Sequence, residues 1–558
     1  MSRRSRYGDD PPRLPVPQLL RWLAWAGLVG STLFDGGCVT TGPIEYIHNG
    51  LKVGPNYARP PAPVAEDWIE ADDPNVQKRN LEDWWGVFND PTLNSLIGTA
   101  YDQNLTLRVV GTRVLQARAQ QAIAAGSIFP QVQQASVEYS RVGLSHTTFN
   151  NPSDLTAAAH ATPPPGALIG NFFSDWTAGF NLSWELDFWG RFRRAIESAN
   201  ASLDSSVENY DAALVTLLAD VATNYVQYRV AQQRIKIALD NIKEQEGLVE
   251  LVKNRSKVGT ATEIDLQQLQ TLLEQTRATV PGLRITLGQA NDALCTLLGV
   301  PPRDLGPELG PGPALESEPL PNTPTWVAAG IPADLLRRRP DVRSAERQVA
   351  AQSALIGVAE AELYPTIFIN GTIGYDAAEL SKLFESKSFM GNITPNFKWN
   401  ILNYGRIANN VHLQQAKTQE LIAAYQNQVL IAAQQVQTAL RGFLESWEQA
   451  RVLRDCVTAA TKAWVAGRIE FREIEKRVDV NRLFTLESTK LQRQDDLAVA
   501  QGNIALNLIN VYRALGGGWE FRCRPQGRKP SAGGGALAEE APRPTPVREV
   551  LPPPMPIP

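Results

Sequence analysis

Apolar and polar residues alternate without interruption between residues 174 and 188. One face consists of Trp176, Ala178, Phe180, Leu182, Trp184, Leu186 and Phe188, and the other of Asp175, Thr177, Gly179, Asn181, Ser183, Glu185 and Asp187. A period of two residues predicts a β-strand. A soluble antiparallel sheet can alternate in this way. The length and the aromatic apolar face favour a barrel wall with lipid outside and water inside.

The same pattern occurs a second time in the chain. Apolar residues alternate again at Ile367, Ile369, Ile373 and Tyr375, and at Ile393, Phe397, Trp399 and Ile401. Ser183-Trp184-Glu185-Leu186-Asp187-Phe188-Trp189-Gly190-Arg191 returns as Lys398-Trp399-Asn400-Ile401-Leu402-Asn403-Tyr404-Gly405-Arg406, and each copy follows an aromatic-proline step, Phe129-Pro130 or Tyr364-Pro365. A duplication of this size predicts two structural repeats, each a helix, a β-hairpin and a long helical hairpin.

Long stretches without proline follow both hairpins. Apolar residues in the first stretch recur at the coiled-coil spacings of three and four, at Leu203, Val207, Tyr210, Leu214, Leu217, Val221 and Tyr225. We predict helices over 190–257, 261–298, 404–475 and 481–515, and a single helix from Pro91 to about Ser127 before the first hairpin. The longest would span roughly 100 Å at about 1.5 Å per residue. Their glutamine- and asparagine-rich polar faces suit helices that line a water-filled interior.

The predicted fold class is an α+β membrane channel, made mainly of long α-helical coiled-coil hairpins with two β-hairpins per chain. We divide the chain into a signal peptide (1–37), a lipid-anchored extended segment (38–80), a first repeat (81–298, with a β-hairpin at 131–188 and a helical hairpin at 190–298), a linker (299–334), a second repeat (335–519, with a β-hairpin at 366–402 and a helical hairpin at 404–515) and a disordered Pro/Gly-rich tail (520–558).

Four strands from one chain cannot close a barrel, and an open edge cannot face lipid because its backbone groups would lack hydrogen-bond partners. Transmembrane barrels begin at about eight strands, which two copies would supply. An eight-stranded barrel is filled by side chains. The polar inner faces therefore favour three copies, which would form a 12-stranded β-barrel on an α-helical tunnel.

Composition narrows the function further. The 558 residues carry a net charge of −4, which does not suggest a nucleic-acid partner. No apolar stretch reaches the roughly 18 to 20 residues of a transmembrane helix, so we expect membrane attachment through β-strands or a lipid. We find no zinc-type cysteine spacing, phosphate-binding loop or nucleophile motif, so we predict neither an enzyme nor a cofactor or metal site.

The N-terminus predicts export. Several arginines precede an apolar run from Leu19 to Phe34, and Gly36-Gly37-Cys38 follows. This order resembles a lipoprotein signal, in which Cys38 becomes the acylated first residue. Asp35 stands where such signals usually carry leucine, and the alternative is an ordinary secretory signal with an incidental cysteine.

Four motifs carry a family resemblance over about residues 38–520. They are Val53-Gly54-Pro55-Asn56-Tyr57-Ala58-Arg59-Pro60, Leu298-Gly299-Val300-Pro301-Pro302, Ile331-Pro332-Ala333-Asp334-Leu335-Leu336-Arg337-Arg338-Arg339-Pro340-Asp341-Val342-Arg343 and Leu515-Gly516-Gly517-Gly518-Trp519. The chain resembles the trimeric TolC/OprM-type outer-membrane factors, in the NodT-like lipoprotein branch. The resemblance implies a homotrimeric, passive outer-membrane exit duct for small molecules, which extends into the periplasm. Its implied partners are outer-membrane lipid, a periplasmic adaptor protein and an inner-membrane pump, of the RND type in this branch.

The resemblance also implies site residues at the two hairpin tips. Val258, Gly259 and Thr260 resemble the adaptor-contact motif, and the alternative is an ordinary helix–helix turn. Related channels close the tip with acidic residues, for which Asp479 is the nearest candidate, with Glu475 and Asp265 behind it. The alternative for Asp479 is a carboxylate that stabilises a helix N-terminus.

Aromatic residues near the ends of the strands form a second candidate set. Trp176, Trp184, Trp189, Trp399 and Tyr404 are candidates for interfacial anchors at headgroup level. Core packing is the alternative interpretation.

Two other functions compete with an efflux duct. The same fold can serve type I protein secretion, and a periplasmic coiled-coil scaffold would explain the helices but not the alternating hairpins. Metal export is less favoured than small-molecule export because Met1, Met390 and Met555 are the only methionines.

Overall fold

The computed structural model describes residues 41–77, 82–143, 172–310, 321–330, 332–473 and 479–523. The predicted signal peptide, the lipidation site Cys38, the gate candidate Glu475 and the tail beyond residue 523 lie outside the described residues.

The elements follow the predicted duplication. Before the first repeat come α1 (Pro43–His48) and β1 (Val76–Gln77), and the first repeat opens with a 3-10 turn at Trp84–Phe88. The first repeat contains α2 (Pro91–Gln103), α3 (Leu105–Gly126), β2 (Val132–Gly143), β3 (Phe172–Leu186), α4 (Arg191–Lys257) and α5 (Glu263–Leu297), and α6 (Gly306–Leu309) and β4 (Val327–Ala328) lead to the second. The second contains α7 (Leu335–Arg338), α8 (Pro340–Ala361), β5 (Thr366–Ala377), β6 (Phe389–Lys398), α9 (Arg406–Glu473) and α10 (Val480–Ala514), before a 3-10 turn at Trp519–Cys523. The long helices α4 and α9 have 67 and 68 residues, and α5 and α10 have 35 each.

Two local predictions were wrong. The single helix that we expected from Pro91 to about Ser127 is divided at Asn104. The side chain of Asn104 accepts a hydrogen bond from the Leu107 amide (2.7 Å) and donates one to the Leu297 carbonyl (2.8 Å), so it caps α3 and ties it to α5. The segment predicted to be extended contains the short helix α1.

The sheet is a four-stranded antiparallel meander in the order β2-β3-β5-β6. Its register places the predicted apolar positions on one face, because Phe180 pairs with Ala135 and Ile373. On the other face, the hydroxyl of Thr372 donates to Asn181 (3.0 Å). Within the described residues, β2 and β6 each pair with one strand only, so both are edge strands.

The chain forms two compact units, and each repeat contributes to both. One unit contains the described residues of the N-terminal segment up to Tyr57, Ala124–Ser198 and Gln352–Thr418, and therefore holds the sheet. The other contains Ala58–Ile123, Ala199–Ala351 and the chain after Gln419, and holds most of the helical hairpins. In this second unit Leu214, Leu217, Val221 and Tyr225, four members of the predicted coiled-coil series, are buried.

Two of the sequence motifs meet at the start of α8 and the end of α10. The guanidinium of Arg339 donates to both oxygens of Asp341 (2.9 and 2.6 Å) and to the Ala514 carbonyl (2.8 Å). Gln428 of α9 donates to the same carboxylate (2.7 Å). Gly516 has φ +71°, and a Cβ there would lie 3.0 Å from the Cα of Arg339. The Arg-Pro-Asp and Leu-Gly-Gly-Gly-Trp motifs therefore form one structural joint.

We expect Asp341→Asn to destabilise this joint by about 2 kcal/mol, because Arg339, only 6% exposed, loses its counter-charge. Burial alone would raise the pKa of Asp341, but the hydrogen bonds and charge of Arg339 hold it below the ordinary value of 3.8. The ion pair therefore stabilises the folded state above about pH 4, and this stabilisation is lost as the pH falls through the lowered pKa.

Thermal unfolding followed by circular dichroism, at neutral pH and near pH 3, measures both effects. The melting temperatures of the wild type and Asp341→Asn should differ at neutral pH and converge in acid. Asp240→Asn, at an exposed position of α4, is the matched control. A difference that persists unchanged in acid would contradict the role of the ion pair.

Candidate functional site: the helical hairpin tips and the strand ends

The tips of the two helical hairpins share one hydrophobic cluster. The first hairpin contributes the buried residues Leu248, Val252 and Leu269, and the second contributes Phe471, Val480 and Leu483. Both reversals of the chain therefore lie at the same end of the helical unit, as the family resemblance implies for a common gate and docking end.

Arg255 joins the two tips and is not among the residues predicted from the sequence. Its guanidinium donates to the backbone carbonyl of Phe471 (2.6 Å) and lies 4.1 Å from the centre of the Phe471 ring. The contact combines a charge-assisted hydrogen bond with a cation–π interaction. Nothing in the local sequence pattern distinguishes this arginine from the other basic residues of α4.

The first tip is a glycine-terminated helix end. The Gly259 amide donates to Ser256 and the Thr260 amide donates to Arg255, each at 3.0 Å, which is the Schellman pattern. Gly259 has φ +79°, a left-handed conformation that glycine adopts without steric cost. The turn leaves the side chain of Val258 largely exposed. The predicted contact motif therefore lies on a hydrogen-bonded, exposed reversal with an apolar side chain at its surface.

The two described gate candidates both cap helices. Asp265 forms a capping box with Thr262 at the start of α5: the Asp265 amide donates to the threonine hydroxyl (3.1 Å), and the Thr262 amide donates to the carboxylate (2.9 Å). Asp479 is the N-cap of α10 and accepts from the Arg482 amide (2.7 Å). The structure thus supports the capping interpretation for both residues, and their role as a gate stays a prediction.

Gly259→Ala should destabilise the first tip by about 1 kcal/mol, because alanine is strained in the left-handed region. No atom lies within 4 Å of the added methyl group, so the effect should come from the backbone alone. Gly247, inside α4, has equally open surroundings. Gly247→Ala is the matched control and should stabilise the helix by about 0.5–1 kcal/mol.

Hydrogen exchange of the amides on either side of the turn, measured by mass spectrometry, reports local opening. Faster exchange around residues 255–266 in Gly259→Ala, with slower or unchanged exchange in Gly247→Ala, is the expected result. Equal exchange in the two variants would mean that the turn does not need its left-handed residue.

The indole groups of Trp184 and Trp399 occupy equivalent places in the two repeats. Trp184 donates to the Ile128 carbonyl (3.1 Å), and Trp399 donates to the Leu363 carbonyl (2.9 Å). Each acceptor lies directly before an aromatic-proline step, so each tryptophan joins the end of a strand to the end of the helix that precedes the hairpin.

Trp189 and Tyr404, the next equivalent aromatic residues of the two repeats, have different surroundings. Trp189 donates to the Pro365 carbonyl (2.7 Å) and stacks on Tyr364 with ring centres 4.5 Å apart. Tyr404, its equivalent in the second repeat, is 98% exposed. Packing therefore accounts for part of the environment of Trp189, whereas Tyr404 lacks such a contact within the described residues.

Trp176 lies at the other end of β3, where its ring centre is 4.4 Å from that of Tyr139. The five predicted interfacial aromatics consequently fall into two groups, one at each end of the strands. Two girdles are the arrangement typical of membrane strands, and the anchoring role of these residues stays a prediction.

No helix in the described part of the chain has both the length and the apolar character of a membrane span. The histidine, cysteine and acidic residues that the structure describes form no cluster able to hold a metal ion.

Comparison with known proteins gives a consistent result. The family model for the outer membrane efflux protein matches residues 96–300 and 331–517. Nodulation protein T from Rhizobium leguminosarum bv. trifolii is 28% identical over 474 residues, which cover 84% of this chain and 92% of that protein. The pyoverdine export outer membrane protein OpmQ from Pseudomonas putida is 29% identical over 444 residues, covering 78% and 88%. The solved structure of the outer-membrane channel OprN has a TM-score of 0.75 and 29% identity, and the match covers 84% of this chain and 99% of that one.

Proposed function

The chain belongs to the outer membrane efflux protein family, and we propose how it works as the outer-membrane channel component of a tripartite efflux system. It is a passive duct rather than an enzyme. Three copies form the duct, which receives small molecules from an inner-membrane pump of the RND type through a periplasmic adaptor. An acyl chain on Cys38 adds a lipid anchor, and the helical unit extends into the periplasm.

The observation that carries the proposal is the open sheet. Its apolar face is exposed in the single chain, at Val137, Phe180 and Ile393 among others. Its edge strands β2 and β6 carry backbone groups that need partners in a bilayer. Pairing β6 of one copy with β2 of the next satisfies both edges and buries no polar face in lipid. Three copies then give twelve strands, within the range of transmembrane barrels.

The internal duplication supplies the register of this pairing. Ser183 of β3 pairs with Val132 of its own repeat and, on its other side, with Asn370 of the second repeat. Lys398 is the equivalent of Ser183 and pairs with Thr366, so Thr366 is the equivalent of Val132. Asn370 lies four residues after Thr366. By the same rule, Lys398 should pair with the residue four after Val132 in the next copy.

That residue is Ser136, and the neighbouring pair is Phe397 with Val137. Both Phe397 and Val137 lie on the apolar face of the sheet. Opposed residues of antiparallel strands have Cα atoms about 4.5–5.5 Å apart, within the reach of a disulfide.

A double variant, Phe397→Cys with Val137→Cys, should therefore form covalent oligomers up to trimers on oxidation. The protein used for this variant should also carry Cys456→Ser and Cys523→Ser, because both cysteines are exposed and could form other disulfides. Denaturing electrophoresis of oxidised membranes, with and without reductant, is the measurement.

The matched control joins Phe397→Cys to Gln133→Cys, which lies on the same face of β2 but about 13 Å along the strand. It should remain monomeric on the gel. Cross-linking of the control and not of the Val137 variant would contradict the register derived from the duplication.

We place the closed gate at the hairpin tips, where threefold symmetry brings three copies of Asp479 around the pore axis. Like charges in a narrow bore attract cations. Glu475 and Asp265 are the further acidic candidates for the gate. The exposed turn at Val258, Gly259 and Thr260 is the surface offered to the adaptor.

Asp479→Asn separates the gate from the cap, since asparagine caps a helix as well as aspartate but carries no charge. We expect a larger single-channel conductance and weaker cation selectivity in planar bilayers for Asp479→Asn than for the wild type. Asp265→Asn, at the other helix start, should change both quantities less. If Asp479→Ala alters conductance and Asp479→Asn does not, Asp479 acts only as a cap.

A further inference from the structure

The N-terminal segment contains an apolar surface that neither the channel nor the gate uses. Helix α1 packs where the chain leaves β3: the hydroxyl of Tyr46 donates to the Phe188 carbonyl (2.7 Å), and its ring centre is 5.6 Å from that of Trp189. The Val53 amide donates to the Trp189 carbonyl (3.0 Å). The helix is thus held against the strand-to-helix junction of the first repeat.

Further contacts fix the chain that follows α1. The guanidinium of Arg193 donates to the carbonyls of Gly50 (2.9 Å) and Leu51 (2.7 Å), and its Nε donates to Asp187 (2.9 Å). Lys52 forms an ion pair with Glu197. These contacts join the segment to both sides of the junction, so the surface of α1 has a defined place beside the end of the strand.

Apolar side chains of this segment point away from the protein. Ile44 is 73% exposed and Ile47 is 67% exposed, and their spacing places them on one face of α1. Leu51, directly after the helix, is half-exposed. We call Ile44, Ile47 and Leu51 the N-terminal ridge.

Leu51 also has φ +60°, a conformation that costs a leucine about 1 kcal/mol or more and favours glycine or asparagine. Neither burial nor backbone geometry explains an apolar residue at this position. A surface that contacts an apolar medium does explain it.

We propose that the N-terminal ridge inserts into the lipid leaflet on the side of the membrane where the strands continue into helices. The partner is a phospholipid surface, because the ridge is continuous with the lipid-facing surface of the sheet. The carbonyl of Phe188 accepts the hydrogen bond from Tyr46, and its side chain is half-exposed. Phe188 comes two residues after the end of β3. The inference rests on the proposed function, which places the apolar face of β3 in lipid.

Short amphipathic segments bind membranes in this way when their apolar side chains reach the boundary between headgroups and acyl chains. The polar residues of α1, Glu45 and His48, lie at the same spacing on another face and are exposed to water or headgroups. The ridge would fix the height of the channel in the bilayer through protein side chains, independently of an acyl chain on Cys38.

Site-directed spin labelling tests the proposal in the full-length channel. A nitroxide is attached to Ile44→Cys or Ile47→Cys in the background with serine at Cys456 and Cys523, since the remaining described cysteine, Cys295, is buried. The labelled protein is reconstituted in vesicles of phosphatidylethanolamine and phosphatidylglycerol. Collision rates with oxygen, which concentrates in lipid, are compared with those of a water-soluble nickel chelate.

Ile69→Cys is the matched control, an isoleucine that is 76% exposed in the helical unit. The ratio of oxygen to nickel collisions should be several-fold higher at Ile44 and Ile47 than at Ile69. Ile393→Cys and Thr394→Cys, on the apolar and polar faces of β6, report on the barrel itself and should show lipid and water, respectively.

The outcomes separate the two claims. A label at Ile393 in lipid with labels at Ile44 and Ile47 in water would overturn the ridge and leave the channel intact. Immobile labels at Ile44 and Ile47, shielded from oxygen and nickel alike, would also overturn it, because a protein surface would then cover the ridge. A label at Ile393 in water would overturn the proposed barrel on which the inference depends.

Discussion

A strand edge cannot remain unpaired in a lipid bilayer, and the rest of the structure depends on this constraint. Each unsatisfied backbone group would cost several kcal/mol in a medium without hydrogen-bond partners. The chain carries a sheet with one apolar and one polar face and two such edges. Pairing within the chain between β3 and β5 already joins one repeat to the other. Repeating that junction between copies closes the sheet and encloses the polar face.

A few specific contacts hold the ends of the helical hairpins together. Arg339 and Asp341 fasten the start of α8 to the end of α10. Arg255 fastens one tip to the other through Phe471. Between these ends, α4 and α10 are also joined by ion pairs, from Arg234 to Asp495 and from Lys490 to Glu244.

Much of this architecture was predictable from the sequence because two strong periodicities and a duplication agree with one another. The family, the fold class and the efflux-channel function are confirmed by the comparisons. The bounds of β3 and α4 differ from the predicted ones by two residues or fewer. The structure locates the gate candidates Asp265 and Asp479 and the adaptor-contact residues at the hairpin tips, and the anchor residues at the strand ends. The roles of these residues stay predictions.

Other features depend on contacts between distant residues and left no local signal. Asn104 divides a helix, and its side-chain amide donates a hydrogen bond to the distant Leu297 carbonyl. Lys490 and Glu487 are buried together in α10, where Glu244 of α4 and the ring of Trp464 complete their surroundings. From a single sequence, charged residues at such positions indicate a helix face that is exposed to solvent. Burial raises the pKa of Glu487, because the charged carboxylate loses contact with water.

Native mass spectrometry of the full-length protein, released from detergent micelles in the gas phase, is the decisive measurement of how the sheet closes. It counts the copies that close the sheet without any substitution or label. Closure of a twelve-stranded sheet predicts a complex of three copies, with no stable monomer or dimer under conditions that preserve the fold. A folded monomer, or a complex of two or four copies, would contradict the closure of the open sheet into a twelve-stranded channel.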